Sequence, residues 1–264
     1  MRVATASPAE ESFPQKSARN PRAGLTQGVN PHTRGKEKMR QVIQLIYRNH
    51  YTTKQMIKKC LNCGNGYALR LVRNGYVKQV DLPSTHLTPL FMLTELGLKE
   101  AEKIEIRHHF YDLNPSSIKQ QLVRHNLAIQ QAILVLPDVL SYSTEAMFDE
   151  KDIFDAKRPD ALIEIDGFEG YKIALEVELT EKRGRELEQA IHRHVNALKQ
   201  NRYYGVIYVT DNPRIAENYE DRLNYRIDTW KKGSNGSWMR TGDSYLVPHE
   251  LNLRFAFLCT NKII

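Results

Sequence analysis

Two alternating runs around a short glycine turn restrict this chain more than any other feature. Residues 160–165 read Asp-Ala-Leu-Ile-Glu-Ile, residues 166–170 read Asp-Gly-Phe-Glu-Gly, and residues 171–180 read Tyr-Lys-Ile-Ala-Leu-Glu-Val-Glu-Leu-Thr. Successive side chains of a strand point to opposite faces, so each run has two distinct sides. Ala161, Ile163 and Ile165 share one side of the first run; Ile173, Leu175, Val177 and Leu179 share one side of the second. A hairpin that pairs odd positions with odd positions buries all seven together. That register forces Asp160, Glu176 and Glu178 onto the other, shared face, with Asp160 opposite Glu176 or Glu178. The pattern therefore predicts three converging carboxylates.

Clustered carboxylates repel unless something neutralises them, and a divalent cation is the usual partner. Oxygen donors suit Mg2+ or Mn2+ rather than zinc. Such an ion activates water and stabilises charge on a phosphate in transfer. The plainer alternative is a solvated strand face on which Glu176 and Glu178 are simply wet. A helix through residues 174–179 is a second alternative, because Ala, Leu and Glu are good helix formers. Pro159-Asp160 in compatible register, and the short spacing after the turn, favour the acidic hairpin.

The surrounding pattern supplies an order of elements. Asn114 and Pro115 open an amphipathic helix to about residue 136, with Ile118, Leu122, Ile129, Ile133 and Leu136 on its stripe. A strand is predicted near residues 141–148. A helix over residues 182–199 aligns Leu187, Ile191, Val195 and Leu198, and residues 206–210 read as an apolar central strand. The predicted order is helix, three strands, helix, strand. Residues 213–264 suggest a polar helix around 215–230 and a last strand near 253–258, with Lys231 and Lys232 as further phosphate contacts.

Charge divides the chain. The net charge is +7, with a pI near 9.2. Residues 36–111 hold 13 basic against 6 acidic side chains, whereas residues 112–264 hold 20 against 23. Positive charge gathered in a small front part is what phosphate contact requires, although a solvated basic surface has the same composition. Residues 1–35 hold Pro8, Pro14, Pro21 and Pro31 with almost no large apolar residues, which predicts a disordered basic arm. Residues 36–104 read as three helices, a hairpin and a helix. Met39, Val42, Ile43 and Ile46 fall at helical spacing, and Thr52 or Thr53 caps a second helix. A third helix runs from Tyr67 to a stop at Gly75, and strands are expected at residues 76–80 and 90–93.

That front part resembles a winged helix-turn-helix over about 70 residues, through its short turn, the Leu69, Leu71 and Val72 anchors, and Gly75-Tyr76-Val77 leading into the wing. The resemblance implies a third helix in the DNA major groove and a wing along the backbone. Lys54, Lys58, Tyr67, Arg70, Arg73 and Lys78 are then the DNA-facing residues, Arg suited to guanine and Lys to phosphate. A winged helix used for protein contacts is the alternative, against which the basic surplus argues.

The rear part resembles the PD-(D/E)xK restriction-endonuclease-like fold, an αβββαβ core in the α+β and α/β range. Pro159-Asp160 matches its first motif and Glu176-Val177-Glu178 its second, with Glu178 where Lys is more usual and Lys182 as a substitute cation. Together with Leu93-Thr94-Glu95-Leu96-Gly97 and His125-Asn126-Leu127-Ala128, the chain is similar to the MOBC class of plasmid relaxases and replication-relaxation proteins over residues 36–210. The resemblance implies a DNA-binding domain at 36–111 and a catalytic domain at 112–264. It implies nicking of double-stranded DNA at a transfer origin during mobilization, with Asp160, Glu176 and Glu178 as metal ligands or water activators and Lys182 assisting. Accessory mobilization or coupling proteins, and a homodimer, are the further partners expected. Two rivals stay open: a non-catalytic origin-binding or regulatory protein, and a nuclease cutting both strands.

Other motifs carry less. Cys60 and Cys63 form a CxxC without a second ligand pair, so a structural zinc is disfavoured. Three cysteines make no disulfide framework, which favours a reducing, cytoplasmic setting. No stretch is long and apolar enough to span a membrane, and no secretory signal is apparent. His192-Arg193-His194 sits in a helix, where residues two apart diverge, so it is a poor metal pair. Tyr203 and Tyr204 read as strand-flanking core residues rather than nucleophiles.

Overall fold

The computed structural model describes residues 31–62, 64, 66–82, 89–105, 109–148 and 158–261 of the protein. Over these residues it is a mixed α and β protein. Helix α1 (Pro31–Asn49) buries Val42, Ile43, Ile46 and Tyr47. It starts inside the stretch expected to be disordered, because once its apolar end is packed each added turn costs little. Residues 1–30 of that arm lie outside the described residues.

Strand β1 (Thr52–Thr53) leads into α2 (Lys54–Leu61), whose N-cap Thr53 side chain accepts the Met56 N–H at 3.2 Å. Asn62 closes that helix in the left-handed region, at φ 48°. Helix α3 (Tyr67–Arg73) stops before Gly75, φ 75°. Strands β2 (Val77–Val80) and β3 (Leu90–Leu93) follow, and the antiparallel sheet runs β1-β3-β2. Helix α4 (Glu95–Ile104), capped by Thr94, lies back on α1.

Gly97 is required where α4 crosses the chain entering β2. A Cβ there would lie 2.0 Å from the Tyr76 carbonyl oxygen, which is backbone and cannot swing away. Gly97→Ala is expected to destabilise the fold by about 3 kcal/mol, the upper range for overpacking. A thermal melt checks this; an unchanged midpoint would mean that the crossing relaxes.

The rear part begins with one 3-10 turn (Pro115–Ser117) capped by Asn114, then α5 (Gln120–Val135). Strands β4 (Val139–Thr144), β5 (Ala161–Ile165) and β6 (Ile173–Glu178) form an antiparallel meander. Helix α6 (Arg185–Lys199) crosses over to β7 (Gly205–Thr210), parallel to β6. Helix α7 (Pro213–Arg222), a ribbon of β8 (Ile227–Lys232) and β9 (Trp238–Tyr245), and α8 (His249–Asn252) precede β10 (Phe255–Cys259). The mixed sheet runs β10-β7-β6-β5-β4.

The hairpin pairs odd with odd, Ala161 with Leu175 and Ile163 with Ile173. All seven apolar residues of the odd faces join one cluster with Ala128, Ile129, Ala132 and Ile133 of α5. Over the other face lie α6 and α7, contributing Leu187, Ile191, Val195, Leu198, Ile215 and Tyr219. Leu122 is a correction: it is 42% exposed. Helix α5 instead turns Val123 and Leu127 to the front part, where Tyr51, Leu90 and Met92 cover them. The helix expected over 215–230 ends at Arg222, and Trp230 lies on β8. The strand expected over 141–148 ends at Thr144 in a single helical turn.

Candidate functional site

The three carboxylates sit at one end of the central hairpin. Asp160 immediately precedes β5, and the pairing of Ala161 with Leu175 sets it beside Glu176. Its Oδ2 accepts the Val177 N–H at 2.8 Å, and its Oδ1 lies 3.2 Å from His125 Nε2 on α5. Both side chains keep a path to solvent, 15% exposed for Asp160 and 34% for His125.

Glu176 and Glu178 point under α6, because the even face of β6 is a covered face rather than a wet one. Glu176 is buried, with its Oε1 3.3 Å from Nε2 of the equally buried His194. His194 Nδ1 lies 2.6 Å from the Tyr203 hydroxyl. Glu178 forms an ion pair with Lys182, whose side chain remains 30% exposed. The Lys182 N–H also donates to the Tyr219 hydroxyl at 2.8 Å. Burial holds the Tyr203, Tyr208 and Tyr219 hydroxyls well above their ordinary range, and neighbouring carboxylates push them further. These phenols keep their protons and are poor nucleophiles.

The register thus brings the acids to one end of the sheet, yet their side chains take three separate partners: His125, His194 and Lys182. Among the described residues no group of three or more His, Cys, Asp or Glu is arranged to hold a metal ion. The convergence expected from strand parity is not formed by the side chains as they stand. Parity fixes the face but not what covers it. An acid under a helix must find a buried partner, whereas one past a strand end can turn back to a backbone amide.

His194 is the residue that sequence reasoning missed. It falls in phase with Leu187, Ile191, Val195 and Leu198 on the buried side of α6, where a histidine needs a polar partner. His192 points elsewhere, its Nδ1 3.0 Å from the Tyr245 hydroxyl, and burial lowers its pKa.

Of the residues expected to meet DNA, Lys58, Arg70 and Arg73 are exposed and Lys54 is half-buried at the start of α2. Two others hold the front part together. The Tyr67 hydroxyl donates to the Gly35 carbonyl at 3.3 Å while its ring packs on the front core. Lys78 donates its amine to the Leu113 carbonyl. Cys60 is half-buried in α2, and Cys63 lies outside the described residues. No helix among the described residues is long and apolar enough to cross a membrane. No family model matches the chain, and neither a curated protein nor a solved structure does.

Proposed function

We propose that the chain binds duplex DNA through α2, α3 and the β2–β3 wing, and nicks one strand at the sheet end that carries Asp160. One observation carries this reading: an antiparallel β4-β5-β6 meander passes through α6 into parallel β7, with Asp160 and the acids of β6 at one end. That is the arrangement expected of the PD-(D/E)xK core and, behind a winged helix, of a MOBC-like relaxase acting at a transfer origin. Accessory mobilization proteins and a second copy of the chain belong to the same reading.

In it, Asp160 orients His125 through Oδ1, leaving an imidazole able to hold or move a proton near the cut. Lys182 supplies a cation for the phosphate. As they stand, the carboxylates do not fit a single Mg2+ or Mn2+ centre, and no step is assigned to one. For three acids to serve one ion, their side chains must swing from these separate partners toward a common point.

Supercoiled plasmid carrying the cognate origin is expected to become open circular when Mg2+ or Mn2+ is supplied; loss of nicking in EDTA would show that the three acids do converge on an ion. Linear product would point to cutting of both strands. A specific observation favours a second reading, a non-catalytic origin-binding protein: each of the three acids already has its own partner. That reading expects a gel shift with no cleavage under every metal tried, a result that would overturn nicking.

A further inference from the structure

The β8–β9 ribbon lies against the side of α6. Trp230 Nε1 donates to Glu188 Oε2 at 2.8 Å, fixing one ring to the helix. One strand position pairs Lys232 with Trp238, so those two side chains share a face. The Arg185 guanidinium stands 5.7 Å from the centre of the Trp238 ring. Trp238 is 37% exposed, and Lys231 and Lys232 are open to solvent. The buried donors Arg185 Nε and Gln189 Nε2, one helical turn apart, have no hydrogen-bond acceptor among the described residues. Those two atoms are closed off, so what the seam offers a ligand is the half-open Trp238 ring, the half-buried Arg185 and the exposed Lys232. Only Arg183 and Gly184 separate Lys182 from Arg185, which sets the seam next to the Glu178–Lys182 pair.

We propose that the seam between the ribbon and the start of α6 binds single-stranded DNA, one base stacked on Trp238 and the adjoining phosphates on Arg185 and Lys232. Aromatic rings interleaved with cations are the means by which unpaired strands are held without regard to sequence. An acidic peptide would use the cations and leave the half-open indole idle. The inference rests on the DNA half of the reading above, not on its chemistry. A strand parted from its complement beside the Glu178–Lys182 pair would lie along this seam.

The chain has two tryptophans, both on the ribbon, so tryptophan emission excited to the red of tyrosine absorption reports this seam alone. Titrating the full chain with oligothymidylate is expected to quench that emission saturably, with binding that weakens as salt rises. Labelled oligothymidylate should bind Trp238→Ala and Arg185→Gln about tenfold or more weakly. Trp238→Phe, which keeps a ring, should retain binding, and it stands in should the Ala variant fail to fold. Duplex binding by the front part should be unchanged in all three. The proposal is overturned by absent quenching, by parental affinity in Trp238→Ala or Arg185→Gln, or by heparin, which has no bases, competing as well as the oligonucleotide. Loss of strand binding with nicking intact would refute this seam alone. Absence of nicking with strand binding intact would refute only the cutting.

Discussion

Asp160→Asn is expected to lower nicking by about 100-fold or more while duplex affinity stays at the parental value. The substitution is isosteric. An amide oxygen can still accept the Val177 N–H, so the end of β5 keeps its attachment to β6. What it loses is the negative charge that faces His125 Nε2. The imidazole then loses this anion, which orients it and stabilises its protonated form. Because Lys58, Arg70 and Arg73 are on α2 and α3, a gel shift with cognate duplex should not change. Nicking at the parental rate would sink the assignment of this end of the sheet as the cutting site. Loss of both nicking and binding would instead indicate a folding defect, which a melting curve separates.

The second large effect concerns how the two parts are joined. Arg48 at the end of α1 donates to both carboxylate oxygens of Glu105, at 2.8 and 3.1 Å, and to the Tyr142 carbonyl at 3.2 Å. Its guanidinium also lies 4.9 Å from the centre of the Tyr142 ring. The Glu105 side chain is only 5% exposed. Arg48→Met therefore strands a buried carboxylate and should cost about 3–5 kcal/mol, as breaking one side of a buried pair does. At roughly 2–4 °C per kcal/mol for a chain of this size, the melting midpoint should fall by about 10 °C. Adding Glu105→Leu should recover much of that, since removing both charges leaves neither unpaired. A single variant within about 1 kcal/mol of the parent would show the pair to be effectively solvated.

Much of the fold was legible because strand parity and helical phase are local properties. The register of the central hairpin followed from seven apolar residues, and the limits of α2 and α3 followed from Thr53, Asn62 and Gly75. The ribbon was not legible: six of the eight residues of β9 are exposed, so no apolar alternation marks it. Leu122 was assigned to the wrong side because α5 is covered from two directions, by the sheet and by the front part. The same physics limited the site. Asp160, Glu176 and Glu178 share an end of the sheet as parity requires, but the partners that claim them come from other elements. His194 lies sixteen residues or more from either glutamate along the chain, and only tertiary packing brings it in.

Helix α5 belongs to both parts at once. Asn126 Nδ2 and Gln130 Nε2 reach the hydroxyl and carbonyl of Tyr51, each at 2.9 Å, while His125 in the same turn touches Asp160. A fragment cut between the two parts would carry a bare stripe of Val123 and Leu127, and its counterpart would expose Leu90 and Met92. Separately expressed halves should therefore clump, and in the proposed reading a duplex on the front part would act on the imidazole through one turn of α5.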